Sequence, residues 1–193
     1  MAAVIFILIG IILALLGLSL LARFFGFQSQ KPADYGDDEL TFDIRERLNG
    51  PLLCDGVIYG PLGKVTSRFT AEIEARWDDD TCVMSERFEY DSGRRQDREW
   101  RLAVTEDGQI RAEADDVLGA GSGRQDGSAV QLNYCIKLPD DAGGHALDVT
   151  DWMYLTPNGV IMNRSQFRKF GIKVAELVAT MRPAEQQMLK AAE

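Results

Sequence analysis

The sequence predicts a mainly β protein: an antiparallel up-and-down barrel that is preceded by one apolar helix. Three observations support this prediction. They are an uncharged N-terminal run, a series of about nine short segments in which apolar and polar residues alternate, and turn residues between successive segments. Short strands at such spacing are typical of antiparallel barrels and sandwiches, and successive hairpins favour the barrel.

The first element is the apolar run over residues 2–22, which contains no charge and in which Ser19 is the one polar side chain. About 20 apolar residues are needed to cross a bilayer, and a segment inserted in lipid must be helical to satisfy its backbone. A cleaved signal peptide would need a basic start and a shorter apolar run. The sequence therefore predicts a transmembrane anchor helix over residues 1–25.

Residues 26–40 follow the helix and are mostly polar, with Pro32 and Gly36 among them. This composition predicts a linker between the helix and the barrel. Arg23 and Lys31 are the basic residues nearest to the helix, and both lie after it. The positive-inside rule applied to these two charges alone would place the barrel in the cytoplasm.

The barrel domain is predicted over residues 41–182, and a short helical tail is predicted over 183–193, after Pro183. Strands are predicted at 52–59, 65–77, 81–90, 109–114, 129–138, 146–155, 159–164 and 172–181. One more strand, which contains Trp100, is predicted directly after the strand at 81–90. For the hairpin around Trp100 we predict a three-residue loop, 92–94, because this loop keeps apolar residues on one face. That register places Phe88 opposite Arg98 and Glu86 opposite Trp100, which makes Glu86 and Arg98 diagonal neighbours.

The composition excludes several classes of function. The net charge is −9, and because residues 1–31 contain no acid, the rest of the chain is more acidic still. Such a domain repels phosphate backbones, and we expect no nucleic-acid partner. The three cysteines Cys54, Cys82 and Cys135 are far apart and His145 is the only histidine, so we expect no metal site and no cofactor. The cysteines are interpreted as small hydrophobic residues, with one disulfide as the alternative in an oxidising compartment.

Catalytic motifs are also absent from the sequence. The glycine-rich run at 119–123 lacks the spacing of a nucleotide-binding loop, and we interpret it as a hairpin turn or bulge. The acidic pairs at 115–116 and 140–141 cannot form a facing acid and base dyad by themselves, because neighbours on a strand point to opposite faces, and we interpret them as exposed loop charges. We therefore expect no enzyme, and an enzyme that modifies a lipid is the least favoured function.

The most informative residues are charges on faces that are otherwise apolar. Glu86 and Arg98 share such faces with aromatic residues, so an internal ion pair is expected. The functional alternative is that Arg98 receives the carboxylate or phosphate head of a ligand. Asp151 is a third such charge, with Arg164 as its predicted counterpart. The predicted ligand-binding residues are Arg98, Glu86, Trp100, Phe88, Tyr90, Tyr134 and Asp151.

Several motifs in a fixed order resemble one family. They are KPADY at 31–35, GKVTSRF at 63–69, ADDVLG at 114–119, DWMYL at 151–155, NRS at 163–165 and KFG at 169–171. Over about residues 31–181 the chain resembles the bacterial domain of unknown function family numbered 3833. The resemblance implies a lipocalin-like barrel in the envelope of Gram-negative bacteria, with no established activity.

Members of that family often look like lipoproteins, with a cysteine just after a short signal, whereas the first cysteine here is Cys54. The N-terminal helix would then replace the lipid as the tether. The export that the resemblance implies favours a single-pass protein of the bacterial inner membrane with its barrel in the periplasm, and the cytoplasmic face is the alternative. Two functions are predicted: a barrel that binds or hands over a small hydrophobic or lipid-like molecule, such as a fatty acid, or an assembly protein that docks a membrane partner without a ligand.

Overall fold

The computed structural model describes residues 2–140 and 143–184, and in them ten antiparallel strands close into a barrel. Each strand pairs with its neighbours in sequence, and the first pairs with the last, so the predicted mainly β up-and-down barrel is confirmed. The strands are β1 (Gly50–Tyr59), β2 (Val65–Asp78), β3 (Thr81–Tyr90), β4 (Arg95–Val104), β5 (Gln109–Ala114), β6 (Gly121–Asp126), β7 (Ala129–Lys137), β8 (Ala146–Leu155), β9 (Ile161–Lys169) and β10 (Ile172–Pro183).

Alternating burial along β2 shows why these segments form a closed wall. Phe69, Ala71 and Ile73 are buried in the interior, while Thr70 and Glu72 between them face solvent. Successive side chains of a strand point to opposite faces, so one face supplies the core and the other the polar surface. A closed sheet also has no exposed edge at which other strands could pair.

The glycine-rich run was predicted to be a turn or bulge, and from Gly121 onward this prediction is wrong, because Gly121–Asp126 is strand β6. Glycine carries no side chain, so the run shows none of the apolar alternation by which the other strands are recognised. The residue type has a steric reason at Gly123. A Cβ atom at this position would lie 2.1 Å from the carbonyl oxygen of Gln131 on β7.

Replacement of Gly123 with alanine is therefore expected to destabilise the barrel by about 1–3 kcal/mol, the usual cost of overpacking. The matched control is Ser122→Ala, which changes an exposed side chain on the outer face of the same strand and should alter stability by less than about 0.5 kcal/mol. Urea unfolding of the two full-length variants, followed by tryptophan fluorescence, measures the difference. Equal midpoints would show that β6 does not approach β7 this closely.

The β3–β4 hairpin has a three-residue loop, as predicted, but the loop is 91–93 and not 92–94. The amide of Tyr90 donates to the carbonyl of Arg94 at 2.9 Å, and the amide of Gly93 donates to the carbonyl of Tyr90 at 2.8 Å. Gly93 has φ +80°, a conformation that favours glycine. The predicted register is thus wrong by two residues, and Glu86 lies directly opposite Arg98.

A short helix, α2 (Ile44–Arg47), closes one end of the barrel. The Asp43 side chain caps it by accepting from the amide of Arg45 at 2.9 Å. Ile44 and Leu48 are fully buried, and the Trp77 indole donates to the carbonyl of Leu48 at 2.7 Å. We call this the closed end, which also holds the loops after β2, β4, β6 and β8. The open end holds the loops after β1, β3, β5, β7 and β9.

The N-terminal prediction is confirmed as a helix, α1 (Ala2–Phe25), and most of its large apolar side chains are exposed. Within the described part of the chain, no helix has the length and apolar character that a membrane span requires. A short C-terminal helix was predicted over 183–193. Pro183 is instead the last residue of β10, and residues 185–193 lie outside the described residues.

The segment predicted as a linker, 26–40, folds along the outside of the barrel and contains two short 3-10 helices, Phe27–Ser29 and Pro32–Tyr35. The Tyr35 ring lies 5.5 Å from the rings of both Trp152 and Tyr154 on β8. Tyr154 also donates its hydroxyl to the side-chain oxygen of Gln30 at 2.8 Å. Because segment 26–40 covers this part of β8, Trp152 is completely buried although it is on the outer face of the barrel.

Candidate functional site

The interior of the barrel contains a cavity of about 470 Å³. Its floor includes Ile44 and Leu48 at the closed end, and Ser92, Arg94 and Pro139 line it at the open end. Cavities that bind small molecules are typically about 300–1,000 Å³ and mostly apolar. The structure places all seven predicted ligand-binding residues along this one cavity: Arg98, Glu86, Trp100, Phe88, Tyr90, Tyr134 and Asp151.

An aromatic cluster forms the wall of the cavity toward the open end. The Phe69 ring lies 5.4 Å from Phe88 and 6.0 Å from Tyr90 between ring centroids, and Phe88 and Tyr90 are stacked at 6.2 Å. The Tyr90 hydroxyl donates to the side-chain oxygen of Gln96 at 3.2 Å. Such a wall offers flat apolar surface to a hydrocarbon chain at little cost in side-chain entropy.

Arg98 is at the centre of the polar part of the cavity. Its Nη2 atom lies 3.0 Å from Oδ1 of Asp116, and its Nε–H donates to the same oxygen at 3.1 Å. Its Cζ atom lies 4.1 Å from the centroid of the Trp100 ring, and the Trp100 and Tyr134 rings meet edge to face at 5.2 Å. The guanidinium is thus held by a carboxylate and an aromatic face in a largely buried position.

The prediction that Asp116 is an exposed loop charge is wrong, because its side chain is only 26% exposed and pairs with Arg98. Asp115, its neighbour, is 93% exposed and pairs with Arg101 on the outer face. The strand β5 ends at Ala114, so alternation along it did not assign faces to the two residues beyond. A basic residue on an inner face, however, requires an acid within reach, and this requirement was the available signal for Asp116.

Glu86 lies beside Arg98 and is only 8% exposed. Burial raises the pKa of its carboxyl to about 7, although the neighbouring Arg98 charge acts to lower it. The Oε2 atom is buried and accepts no hydrogen bond from any described residue. Glu86 is therefore a carboxyl group inside the cavity with an acceptor oxygen still available, and it changes charge near neutral pH.

Asp151 faces the cavity from β8, but its predicted counterpart Arg164 is not its partner. Asp151 accepts from the Ser165 hydroxyl at 2.7 Å and from the side-chain amide of Asn163. Arg164 is opposite Trp152 in the β8–β9 pairing and therefore lies on the outer face, where it bonds Glu176 at 2.5 Å. Burial raises the pKa of the Asp151 carboxyl, and the two hydrogen bonds oppose this effect.

The cavity therefore combines three carboxyl groups, those of Glu86, Asp116 and Asp151, with two guanidinium groups, that of Arg98 in the interior and that of Arg94 at the open end. Arg98 already forms an ion pair with Asp116, so a ligand anion would compete with this carboxylate, but its Nη2 atom forms no hydrogen bond with any described residue. Among the described residues, no group of three or more His, Cys, Asp or Glu side chains is placed to hold a metal ion. In the interior, where three carboxyl groups surround the one guanidinium of Arg98, the arrangement favours a neutral or cationic hydrogen-bond donor over a second anion.

The cysteines are free of disulfides, and two of them are buried as the sequence predicts. Burial raises the pKa of the Cys54 thiol, which lines the cavity, to about 12, and that of the Cys82 thiol to about 11. Thiols with such pKa values are not ionised near neutral pH, and the thiolate is the reactive form. Cys54 and Cys82 therefore belong to the apolar interior and not to a nucleophilic site, whereas Cys135 is half-buried.

The chain matches a known protein family. A family described as "protein of unknown function (DUF3833)" matches residues 21–183, which include the barrel, the segment that covers β8 and the end of α1. No curated protein matches the chain. The resemblance found in the sequence motifs is thereby confirmed.

Proposed function

This chain belongs to the DUF3833 family of proteins of unknown function, and we propose that its barrel binds one small amphiphilic molecule, without converting it chemically, beside a membrane. The observation that carries the proposal is the cavity of about 470 Å³, closed at one end by α2 and open at the other. A barrel that served only as a solid scaffold would fill this volume with side chains. An apolar wall with a few convergent polar groups is the usual form of a ligand site.

The polar groups indicate the chemistry of the ligand's head. Arg98 forms an ion pair with Asp116, but among the described residues its Nη2 atom forms no hydrogen bond and Glu86 Oε2 lacks a donor, so a head group such as a hydroxyl that both donates and accepts would satisfy both atoms. A buried acceptor without a donor costs about 1–3 kcal/mol, and a ligand hydroxyl or amine placed there recovers this loss. The ligand that fits best thus has one apolar chain and a head that donates hydrogen bonds, as in a monoacylglycerol.

Attachment to a membrane through α1 is part of the same proposal. The helix exposes a nearly continuous apolar surface, with Phe6 72% and Phe25 83% exposed, and such a surface is unfavourable in water. We place the barrel on the periplasmic side of the bacterial inner membrane, which the family resemblance favours over the cytoplasmic side. A protease added to spheroplasts tests this placement, because it reaches the barrel only if the barrel lies outside the inner membrane.

Native mass spectrometry of the full chain, released from detergent micelles after incubation with monopalmitoylglycerol or palmitic acid, tests ligand binding. We expect one molecule of monopalmitoylglycerol per chain, and binding of palmitic acid at least about tenfold weaker at pH 8, where the fatty acid and Glu86 are both anionic. Tighter binding of palmitic acid would contradict the proposed head group. An unfilled cavity with both probes would contradict ligand binding itself.

Ser67→Trp provides the matching variant, because Ser67 lines the cavity near the open end and an indole there would obstruct it. We expect the bound mass of monopalmitoylglycerol to disappear in this variant. Arg68→Trp is the control, since Arg68 is the next residue of β2 and its side chain is exposed on the outer face. Loss of binding in both variants would point to a general disturbance of β2 and not to a blocked cavity.

A further inference from the structure

The open end of the barrel carries large apolar side chains that face solvent. Leu62 is 97% exposed in the loop after β1, and Phe170 and Ile172 are 91% and 70% exposed at the β9–β10 turn. Because β1 pairs with β10, these two loops are neighbours on the rim of the barrel. Leu118 is 52% exposed in the loop after β5 at the same end. Exposed apolar residues clustered at one end of a protein mark an interaction surface.

The backbone at the β9–β10 turn adds to this observation. Phe170 has φ +52° and Gly171 has φ +78°. Two-residue turns with positive φ at both positions favour Asn, Asp or Gly, so a bulky side chain at the first position is unusual. The chain therefore keeps a large apolar ring at the tip of the turn, although a small polar residue would fit the backbone better.

Charge differs between the two ends of the barrel. Lys64 lies beside Leu62, and Lys169 and Lys173 flank Phe170 and Ile172, so the apolar patch on the rim is bordered by basic residues, while the other described loops of the open end carry Asp91, Asp115, Asp116 and Asp140 with Arg94. Lys173 bonds Glu176 at 2.6 Å, whereas neither Lys64 nor Lys169 forms an ion pair with any described residue. The loops and α2 at the closed end instead carry Asp37, Asp38, Glu39, Asp43, Glu46, Asp79, Asp80, Glu106 and Asp107, with Arg45 and Arg47 as the basic residues.

The path of the chain after α1 relates this patch to the N-terminal helix. Gln28 contacts Gln166 and Thr150, which are midway along β9 and β8. From there the chain runs past Trp152 to the closed end, where the amide of Phe42 donates to the carbonyl of Gly127 at 2.7 Å. The chain thus enters on the side of the open end, and Gln166 is only four residues before the Phe170 turn.

We propose that the open end of the barrel is the surface that contacts the lipid bilayer. Leu62, Phe170 and Ile172 enter the headgroup and upper acyl region, and the adjacent lysines contact anionic headgroups. The acidic closed end faces away, because anionic lipids repel it. The cavity then opens directly onto the membrane. This inference extends the proposed function by making the bilayer the source of the ligand, but the surface contact itself does not depend on a ligand.

The test places a fluorescent reporter at each end of the full-length chain. Phe170→Trp introduces tryptophan at the open end, and Asn158→Trp introduces it in the exposed loop after β8 at the closed end. Both chains are reconstituted in vesicles of phosphatidylethanolamine and phosphatidylglycerol, with or without bromine atoms on the acyl chains. Since the chain already contains Trp77, Trp100 and Trp152, the emission of the wild-type chain is subtracted.

We expect brominated lipid to remove most of the emission added by Phe170→Trp and to leave the emission added by Asn158→Trp unchanged. Equal quenching of the two, or no quenching of either, overturns the proposed orientation. Failure of the wild-type chain to float with vesicles overturns it as well. So does emission from the Phe170→Trp chain that bromine does not quench because a protein partner covers the side chain at this position.

Mass spectrometry of the same wild-type chain with monopalmitoylglycerol separates this inference from the proposed function. A quenched Phe170→Trp signal together with an unfilled cavity would contradict ligand binding only. A filled cavity together with an unquenched signal would contradict the membrane orientation only.

Discussion

Replacement of Arg98 with methionine is expected to lower the free energy of unfolding by about 3–5 kcal/mol, the typical cost of removing one partner from a buried ion pair. Methionine keeps most of the length of the side chain, so packing against Trp100 is largely retained. The loss comes from Asp116 and Glu86, whose carboxyl groups stay in the interior without a neighbouring cation. Urea unfolding of the full chain in a mild detergent at pH 8 measures this change.

Arg101→Met is the matched control for the same strand. Arg101 is on the outer face of β4, where it pairs with Asp115, a residue that is 93% exposed. Exposed ion pairs contribute about 0–1 kcal/mol, so this variant should unfold close to the wild type. The double variant Arg98→Met with Asp116→Asn should recover part of the lost stability, because it removes one of the two carboxylates that Arg98→Met leaves without a neighbouring cation. Equal effects of Arg98→Met and Arg101→Met would show that Arg98 is not buried in an ion pair.

Much of the barrel was predictable because alternation is a local property of a strand whose two faces meet different environments. The β2 strand shows this most clearly, and its predicted range of 65–77 differs from Val65–Asp78 by one residue. The strand β6 escaped prediction because glycines at Gly121 and Gly123 remove the apolar signal. Their presence depends on the distance to β7, which is set by folding and cannot be read from neighbouring residues.

The helix α2 was also missed, although it left a signal. Asp43 followed three residues later by Glu46 is the spacing of a helix N-terminus. Isolated helices of four residues are unstable, and α2 is stabilised by burial of Ile44 and Leu48 in the end of the barrel. Only the closed barrel creates that environment, so local propensity alone would not have been sufficient.

The candidate site was predicted better than its internal pairings. The seven predicted residues line one cavity because each shares a face with apolar neighbours on its strand. The partners Asp116, Asn163 and Ser165 were missed, because contacts between strands depend on register. A shift of two residues in the β3–β4 hairpin preserves every face and still changes which residues are opposite Arg98.

The second large effect concerns the pH dependence of stability. Burial raises the pKa of Glu86 from 4.5 to about 7, so between these values the folded chain binds more protons at this site than the unfolded chain does. The folded chain binds the Glu86 proton more tightly than the unfolded chain does, and this difference stabilises the fold at low pH. The stabilisation is lost as the pH rises through the pKa of the folded chain. Glu86 should therefore lower the free energy of unfolding by about 3 kcal/mol between pH 4.5 and pH 8.

Glu86→Gln removes this titration and keeps the shape of the side chain. We expect the variant to match the wild type near pH 4.5 and to be more stable at pH 8 by up to about 3 kcal/mol. Glu89→Gln is the control, because Glu89 is on the outer face of the same strand with its side chain 59% exposed, and this variant should follow the wild-type curve. Urea unfolding midpoints at half-unit pH steps give the three curves. If the Glu86→Gln curve stays parallel to the wild-type curve, the Glu86 carboxyl is hydrated or fully paired in the folded chain, and the acceptor assigned to the ligand's head is not available.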